Sequence, residues 1–294
     1  MWVYLNDRFV QKEHARVSVF DHGFLYGDGV YETLRVYGGR ILLWERHLAR
    51  LRRSCELIGL DFPIPDEAWL PILGELLVRN KLQNAGLRLT ISRGEGELGI
   101  DPRLCARPTV VVMAKPVVEY TDQQREQGRT LHLASIRRNP EFAQSPQIKA
   151  ISFLNNILAK QEAVRIGADD ALMLNMDREL TECTASNIFF VKHQCLYTPA
   201  VACGILQGVT RDVVLELAVE QGMSVEEGHY TIEELFQADE CFITNTGLEI
   251  MPVSKVGDYQ IGRGKGGPQT SALLRAFKAN MHRYLGPCLA SSHG

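Results

Sequence analysis

Lys149 is the residue whose type and setting most invite chemistry in this chain. It follows Pro146 closely and precedes a run in which Phe153, Ile157, Leu158 and Val164 recur near helical spacing. A lysine at the mouth of a helix faces the positive end of the helix dipole, which disfavours its charge. An amine held that way is ready to add to a carbonyl and form a Schiff base. The plain alternative is a solvated loop lysine. Three further groups could serve such an amine. Arg50 lies on a helix, where a guanidinium can reach an anion. Glu182 lies in Asp177–Ala185, a segment between two strands. Gly208, Val209 and Thr210 open a helix, where free backbone N–H groups attract anions, or where Thr210 is an ordinary cap.

The elements that must position these groups read as alternating strands and helices. Met1–Asn6 and Ala15–Phe20 are expected to be short strands, with a turn through Asp7 and Arg8. The stretch Asp21–Gly39 begins with Gly23, Gly27 and Gly29, which permit sharp turns or close approach, and ends like a strand. Leu42–Gly59 is a helix with His47, Leu48, Leu51, Cys55 and Ile58 on one stripe and Arg46, Arg50, Arg52 and Arg53 off it. Pro65–Lys81 is a second helix, followed by two strands around the loop Glu95–Pro102. The polar stretch from Pro116 to Gly128 marks a domain boundary. Beyond it come a strand, the loop before Lys149, the Lys149 helix, two strands flanking Glu182, and a glycine loop entering the helix of Val213, Leu215, Leu217 and Ala218. A short helix at 231–240, a strand–turn–strand through Asn245–Gly247 and a helical tail complete the chain. The expected domains are 1–118 and 131–294, joined by a linker over 119–130.

The 294 residues are 45% hydrophobic and 23% charged, enough apolar content for a sizeable core. A net charge of −3 gives no reason to expect nucleic acid or an anionic membrane as partner. The amino terminus lacks a basic segment followed by an apolar run, so no secretory signal is visible. Seven cysteines without a C-x-x-C pair argue against a disulfide framework or a structural metal site. A cytoplasmic location, no membrane association and no metal are the expectations.

An amine, a carboxylate, a guanidinium and helix-start amides together suit pyridoxal 5′-phosphate, which needs an aldehyde partner, a pyridine partner and a phosphate cup. The chain resembles the fold-type-IV pyridoxal-phosphate enzymes: branched-chain and D-amino-acid aminotransferases and aminodeoxychorismate lyase. The resemblance runs from FDHGFLYGDGVYETLRVY through HLARLRRS, SRGEGELGIDP and IKAISFLNNILAKQEA. It continues in LTECTASNIFFV, ILQGVTR and ADECFITNTGLEIMPV. It implies an α/β (α+β) two-domain fold with the cofactor in the interdomain cleft, and a homodimer. It also implies roles: Lys149 as the Schiff-base lysine and proton shuttle, Glu182 on the pyridine nitrogen, Arg50 on the phosphate. Val209, Thr210 and Thr246 would complete the phosphate contacts, and Tyr26, Tyr31, Thr33, Arg35, Arg88 and Gly247 would line the substrate site.

The implied reaction moves an amino group between an amino acid and a 2-oxo acid by a ping-pong route, with a branched-chain-like L-amino acid favoured and a D-amino acid as an option. Tyr26, Arg35, Arg88 and the stretch LGIDPRLCARPTV are similar to the branched-chain group. Thr33, TECTASN and the asparagine of the TNT turn are similar to the lyase, which releases 4-aminobenzoate and pyruvate. Phe153 stands where the branched-chain group has a tyrosine, and so offers no hydroxyl to the cofactor ring. Arg35 and Arg88 are either carboxylate binders or members of structural ion pairs.

Overall fold

Val30, Leu34 and Val36 alternate with Tyr31, Thr33, Arg35 and Tyr37, a period of two that makes Gly29–Tyr37 a strand with one apolar face. In the computed structural model, which describes residues 1–289, that strand is at the heart of one of two units. The first comprises Met1–Val118, Ile148–Phe153 and the described tail from His282. Its strands are β1 (Trp2–Leu5), β2 (Arg8–Gln11), β3 (Gly29–Tyr37), β4 (Arg40–Leu42), β5 (Ala85–Ser92), β6 (Thr109–Lys115) and, from the end of the chain, β16 (Leu285–Cys288). They form one sheet in the order β16-β4-β3-β5-β6-β1-β2. The apolar face of β3, β5 and β6 packs against helices α2 (Trp44–Leu57) and α3 (Asp66–Asn80) around Trp69, Leu51 and Leu73. A short helix, α1 (His22–Tyr26), precedes β3, capped by the Asp21 side chain on Gly23 N–H at 2.8 Å.

The second unit comprises Glu119–Gln147 and Leu154–Met281. Helix α4 (Asp122–Gln127) leads into strands β7 (Arg129–Leu133), β8 (Asp170–Leu174), β9 (Leu180–Cys183), β10 (Asn187–Lys192), β11 (Cys195–Pro199), β12 (Ser224–Gly228), β13 (Glu240–Asn245), β14 (Glu249–Val256) and β15 (Tyr259–Gln260). The path β12-β11-β10-β13-β14-β7-β8-β9 turns back on itself, because β9 also pairs with β10 through Asn187 opposite Glu182. That pair closes a ring of six strands, which leaves those strands no open edge. Helices α5 (Leu154–Arg165), α6 (Val209–Glu220), α7 (Ile232–Phe236) and α8 (Pro268–Ala279) belong to this unit.

Three details differ from the sequence reading. Ala15–Phe20 forms no strand: the first hairpin turns at Asn6, whose φ of 58° suits an asparagine, and Val17, Val19 and Phe20 stay exposed. Lys149 is not at a helix mouth, because α5 begins five residues later at Leu154; its segment groups with the first unit rather than with the second domain. The stripe Ile157, Leu158 and Val164, expected to face the core, is exposed together with Leu154. Helix α5 buries Ala159 and Ala163 instead, against Ala171 and Met173 of β8.

Small residues allow that close approach, so a larger side chain has nowhere to go. Ala159→Leu is expected to destabilise the chain by about 1–3 kcal/mol in urea unfolding, whereas Leu158→Ala on the outward face should be within about 0.5 kcal/mol of wild type.

Candidate functional site

Lys149 is held by its backbone. Its N–H donates to Ser54 Oγ at 3.2 Å and its carbonyl accepts from Tyr31 N at 2.9 Å. Ile151 N donates to Gly29 O at 3.0 Å, and Ala150 bridges to Val30. The segment is thus a short addition to the start of β3. The amine lies 4.7 Å from the centre of the Tyr31 ring. The same ring carries the Arg88 guanidinium at 3.9 Å and meets Phe153 edge-on at 6.1 Å. Arg88 reaches Tyr31 because Thr33 and Arg88 are direct partners across β3 and β5, on the sheet face that Tyr31 shares. Burial pushes the Tyr31 hydroxyl above its usual range, against the opposing pull of Arg88. It stays a protonated phenol beside the Arg88 guanidinium.

Arg35 is on this face too. It is 5% exposed, lies 4.9 Å over the Tyr37 ring, and its Nε meets no acceptor among the described residues. Of its two sequence readings, no ion pair of Arg35 occurs among the described residues. Thr33 is half-buried between Tyr31 and Arg35. Tyr26, on α1, accepts a hydrogen bond from Gly99 N at 3.1 Å and keeps 42% of its surface exposed.

The other phase of β3 carries a charge that the sequence reading did not single out. Glu32 is fully buried beside Val30 and Leu34. Arg50 donates to it from Nε at 2.6 Å and Nη2 at 2.9 Å, and His47 donates from Nδ1 at 2.9 Å. One turn of α2 separates His47 from Arg50, so both face the same point. Burial alone would raise the Glu32 carboxyl, but Arg50 and then His47 outweigh it and hold it well below the usual carboxylate range. Burial pushes the His47 imidazole down, against the pull of Glu32.

In the second unit Glu182 is on β9 itself, rather than in a turn, and is 6% exposed. Its Oε1 pairs with Arg138 Nη2 at 2.9 Å; its Oε2 accepts from Asn187 Nδ2 and Leu206 N, both at 3.1 Å. Arg138 in turn donates to Asn156 Oδ1 at 2.9 Å, which fixes the cation from its far side. Helix α6 starts at Gly208 with no side chain capping its first N–H groups; Val209 and Thr210 are buried there. A Cβ at Gly208 would fall 2.0 Å from Asn187 Oδ1, so the helix start and the Glu182 cluster are packed to the limit of glycine. At the β13–β14 turn, Asn245 Oδ1 accepts from Gly247 N at 2.9 Å and Leu248 N at 2.7 Å, which orders the loop that carries Thr246. Glu32, His47, Arg138 and Asn187 were all missed from sequence. Glu32 and His47 were readable in principle, as ionisable residues on the apolar phase of a strand and a helix.

The first unit thus holds an amine on an aromatic ring beside a guanidinium, and the second an ion-paired carboxylate near an uncapped helix start. The chain belongs to the class IV aminotransferases, whose family model matches residues 29–256, and its cofactor is pyridoxal 5′-phosphate. It is 41% identical over 278 residues to a Methanocaldococcus jannaschii protein provisionally named branched-chain-amino-acid aminotransferase, covering 95% of this chain and 96% of that one. It is 36% identical to the aminodeoxychorismate lyase of Bacillus subtilis over 94% of this chain and 93% of the relative. It is 33% identical to the D-alanine aminotransferase of Listeria innocua, over 97% and 98%. Among solved structures, the branched-chain amino acid aminotransferase of Escherichia coli superposes with a TM-score of 0.93 at 28% identity, covering 98% of this chain and 99% of that one.

The Glu32 cluster sets a pH dependence. Its folded pKa is depressed, so its contribution is complete above the unfolded glutamate value of about 4.3 and is lost as pH falls through the lower folded value. Glu32→Gln should cost about 2 kcal/mol or more at pH 7, and the gap to wild type should narrow below about pH 4 in urea unfolding at stepped pH.

Proposed function

We propose that this chain transfers an amino group between an amino acid and a 2-oxo acid by a ping-pong route, with a branched-chain-like L-amino acid as the favoured donor and a D-amino acid as an option. The observation that carries the reading is the placement of the Lys149 amine on the Tyr31 ring next to Arg88. The donor set suits the cofactor: an amine for its aldehyde, a guanidinium and uncapped helix amides for its phosphate, and an ion-paired buried carboxylate for its pyridine nitrogen. Pyridoxal phosphate, when bound, supplies the aldehyde and the electron-withdrawing ring.

The protein residues do the rest in this proposal. Lys149 would hold the cofactor through its amine, take the α-proton of the substrate and return a proton to the cofactor carbon on the other side of the nitrogen. Glu182, held by Arg138 and Asn187, partners the pyridine N–H. Arg50, the backbone amides of Val209 and Thr210, and Thr246 anchor the phosphate. Arg35 and Arg88 take substrate carboxylate, to which a guanidinium is matched in shape. Tyr26, Tyr31, Thr33 and Gly247 shape the rest of the substrate site. The buried Arg35, with an Nε that no acceptor meets among the described residues, supports a ligand carboxylate there.

The second reading is an aminodeoxychorismate lyase releasing 4-aminobenzoate and pyruvate. Thr33, the TECTASN stretch and Asn245 favour it, and Phe153 departs from the branched-chain group because it gives no hydroxyl to the cofactor ring. We further propose a cytoplasmic homodimer. No disulfide forms among the described cysteines, and no described helix is long and apolar enough to cross a membrane. Exposed Leu154, Ile157, Leu158 and Val164 in the second unit, and Val17, Val19, Phe20 and Phe24 in the first, are the apolar residues proposed to meet a second copy.

Purified protein mixed separately with L-leucine, D-alanine and aminodeoxychorismate decides between these reactions. Transamination predicts a 2-oxo acid and the amino form of the cofactor from an amino donor alone; 4-aminobenzoate from aminodeoxychorismate, with no such form, would make it the lyase. Lys149→Ala should lower turnover by about a thousandfold or more, and full activity would rule out its role. Ile157→Glu with Leu158→Glu should shift the mass in light scattering from dimer to monomer; a wild-type monomer would remove the dimer proposal.

A further inference from the structure

We propose that Glu32 is the positioning residue of Arg50, and that this buried carboxylate gives the site its preference for the phosphorylated cofactor over the unphosphorylated aldehyde. The inference rests on the reading that Arg50 takes the phosphate.

Three observations carry it. Glu32 occupies the core phase of β3, where its neighbours Val30, Leu34 and Val36 are fully buried, and a carboxylate is costly there unless cations meet it. The ion pair is also asymmetric: the Glu32 side chain is 1% exposed and the Arg50 side chain 13%. The anion is thus set inside and holds the cation from behind. Finally, the hold is two-pronged. Glu32 Oε1 takes Arg50 Nε at 2.6 Å and Oε2 takes Nη2 at 2.9 Å, which fixes the plane of the guanidinium and not merely its distance. His47 donates its Nδ1–H to the same Oε2 at 2.9 Å, so the carboxylate cannot swing away from the arginine. Burial favours the neutral imidazole, so His47 steadies the pair without adding a competing positive charge.

Glu32 acts on a phosphate in two opposing ways. Its charge partly cancels that of Arg50, which weakens the pull on a dianion. Its two hydrogen bonds hold the guanidinium in one orientation, which strengthens every directional contact that the arginine makes. The bidentate geometry decides for orientation, because an arginine released from the β3 carboxylate regains its side-chain freedom and must lose it again on binding.

The test compares pyridoxal 5′-phosphate with pyridoxal on the cofactor-free protein, following the absorbance of the bound aldehyde in wild type, Glu32→Gln, Glu32→Asp and Arg50→Lys. Glu32→Gln and Arg50→Lys should each weaken the phosphorylated ligand by about tenfold or more, a size set by losing a charge-assisted hydrogen bond, and leave pyridoxal within about twofold. The double variant should be no worse than the poorer single one. Three results overturn the proposal: unchanged affinity of Glu32→Gln for both ligands, tighter binding of the phosphorylated one, or an equal loss for both, as a purely structural role would give. If Glu32→Gln does not fold, Glu32→Asp decides, since it keeps the charge and withdraws the carboxylate by one methylene; the same selective loss supports the proposal and a retained preference overturns it. A wild type indifferent to the phosphate, or an Arg50→Lys variant that keeps the preference, overturns the phosphate reading of Arg50 itself. Loss of preference in Arg50→Lys but not in Glu32→Gln overturns only the role of Glu32.

Discussion

The structure depends on fixing the backbone of one lysine. A flexible four-carbon side chain is useful only if its root does not move, and the Lys149 backbone is tied by two hydrogen bonds, to Ser54 of a helix and to Tyr31 of a strand, with a third from Ile151 to Gly29 of the same strand. Those bonds take a piece of chain that follows more than twenty residues of the second unit and incorporate it into the first. Backbone bonding of this kind is insensitive to the side chains of Ala150 and Ile151. The amine is thereby left facing Tyr31, whose ring is itself set by β3 and flanked by Arg88 from β5.

Three buried carboxylates in this protein lie in small neutralised sets. Glu32 lies with Arg50 and His47, Glu182 with Arg138, and Glu249 with Arg125, whose Nη2 reaches the carboxylate at 2.7 Å. The Glu32 set ties β3 to α2 and the Glu249 set ties β14 to α4, while the Glu182 pair ties β9 to the loop that carries Arg138. A buried pair adds little net stability compared with apolar packing, but breaking one is costly because the partner remains. The sets therefore act more on geometry than on the margin of stability.

Much of the fold was legible because periodicity survives packing. The strand-like second half of Asp21–Gly39 is β3, and His47, Leu48, Leu51 and Cys55 gave α2, whose expected ends, Leu42 and Gly59, are within two residues of those seen. Motif order gave the family. What stayed illegible followed from partners far apart in sequence. Nothing local tells that Lys149 joins β3, since the bond is to Tyr31, over a hundred residues earlier. The face of α5 was misread because apolar size was taken for burial; Ala159 and Ala163, which pack closest, carry a weak hydrophobic signal. Glu32 and His47 interrupt apolar stripes, and that interruption was the one clue to the Arg50 cluster. Arg138 had none, because the loop before Lys149 has no periodicity against which a residue could look out of place.

Gly208 has a backbone that any residue could adopt, with φ of −79°. It is nonetheless closed to every other amino acid, because a single methyl there would meet the Asn187 amide that also holds Glu182 and the Leu206 carbonyl. In a saturation library this position would read as fixed as any ligand-contacting residue. Its intolerance would have a steric origin, passed on from a carboxylate on another strand: an apparent functional constraint on a residue with no side chain to contribute.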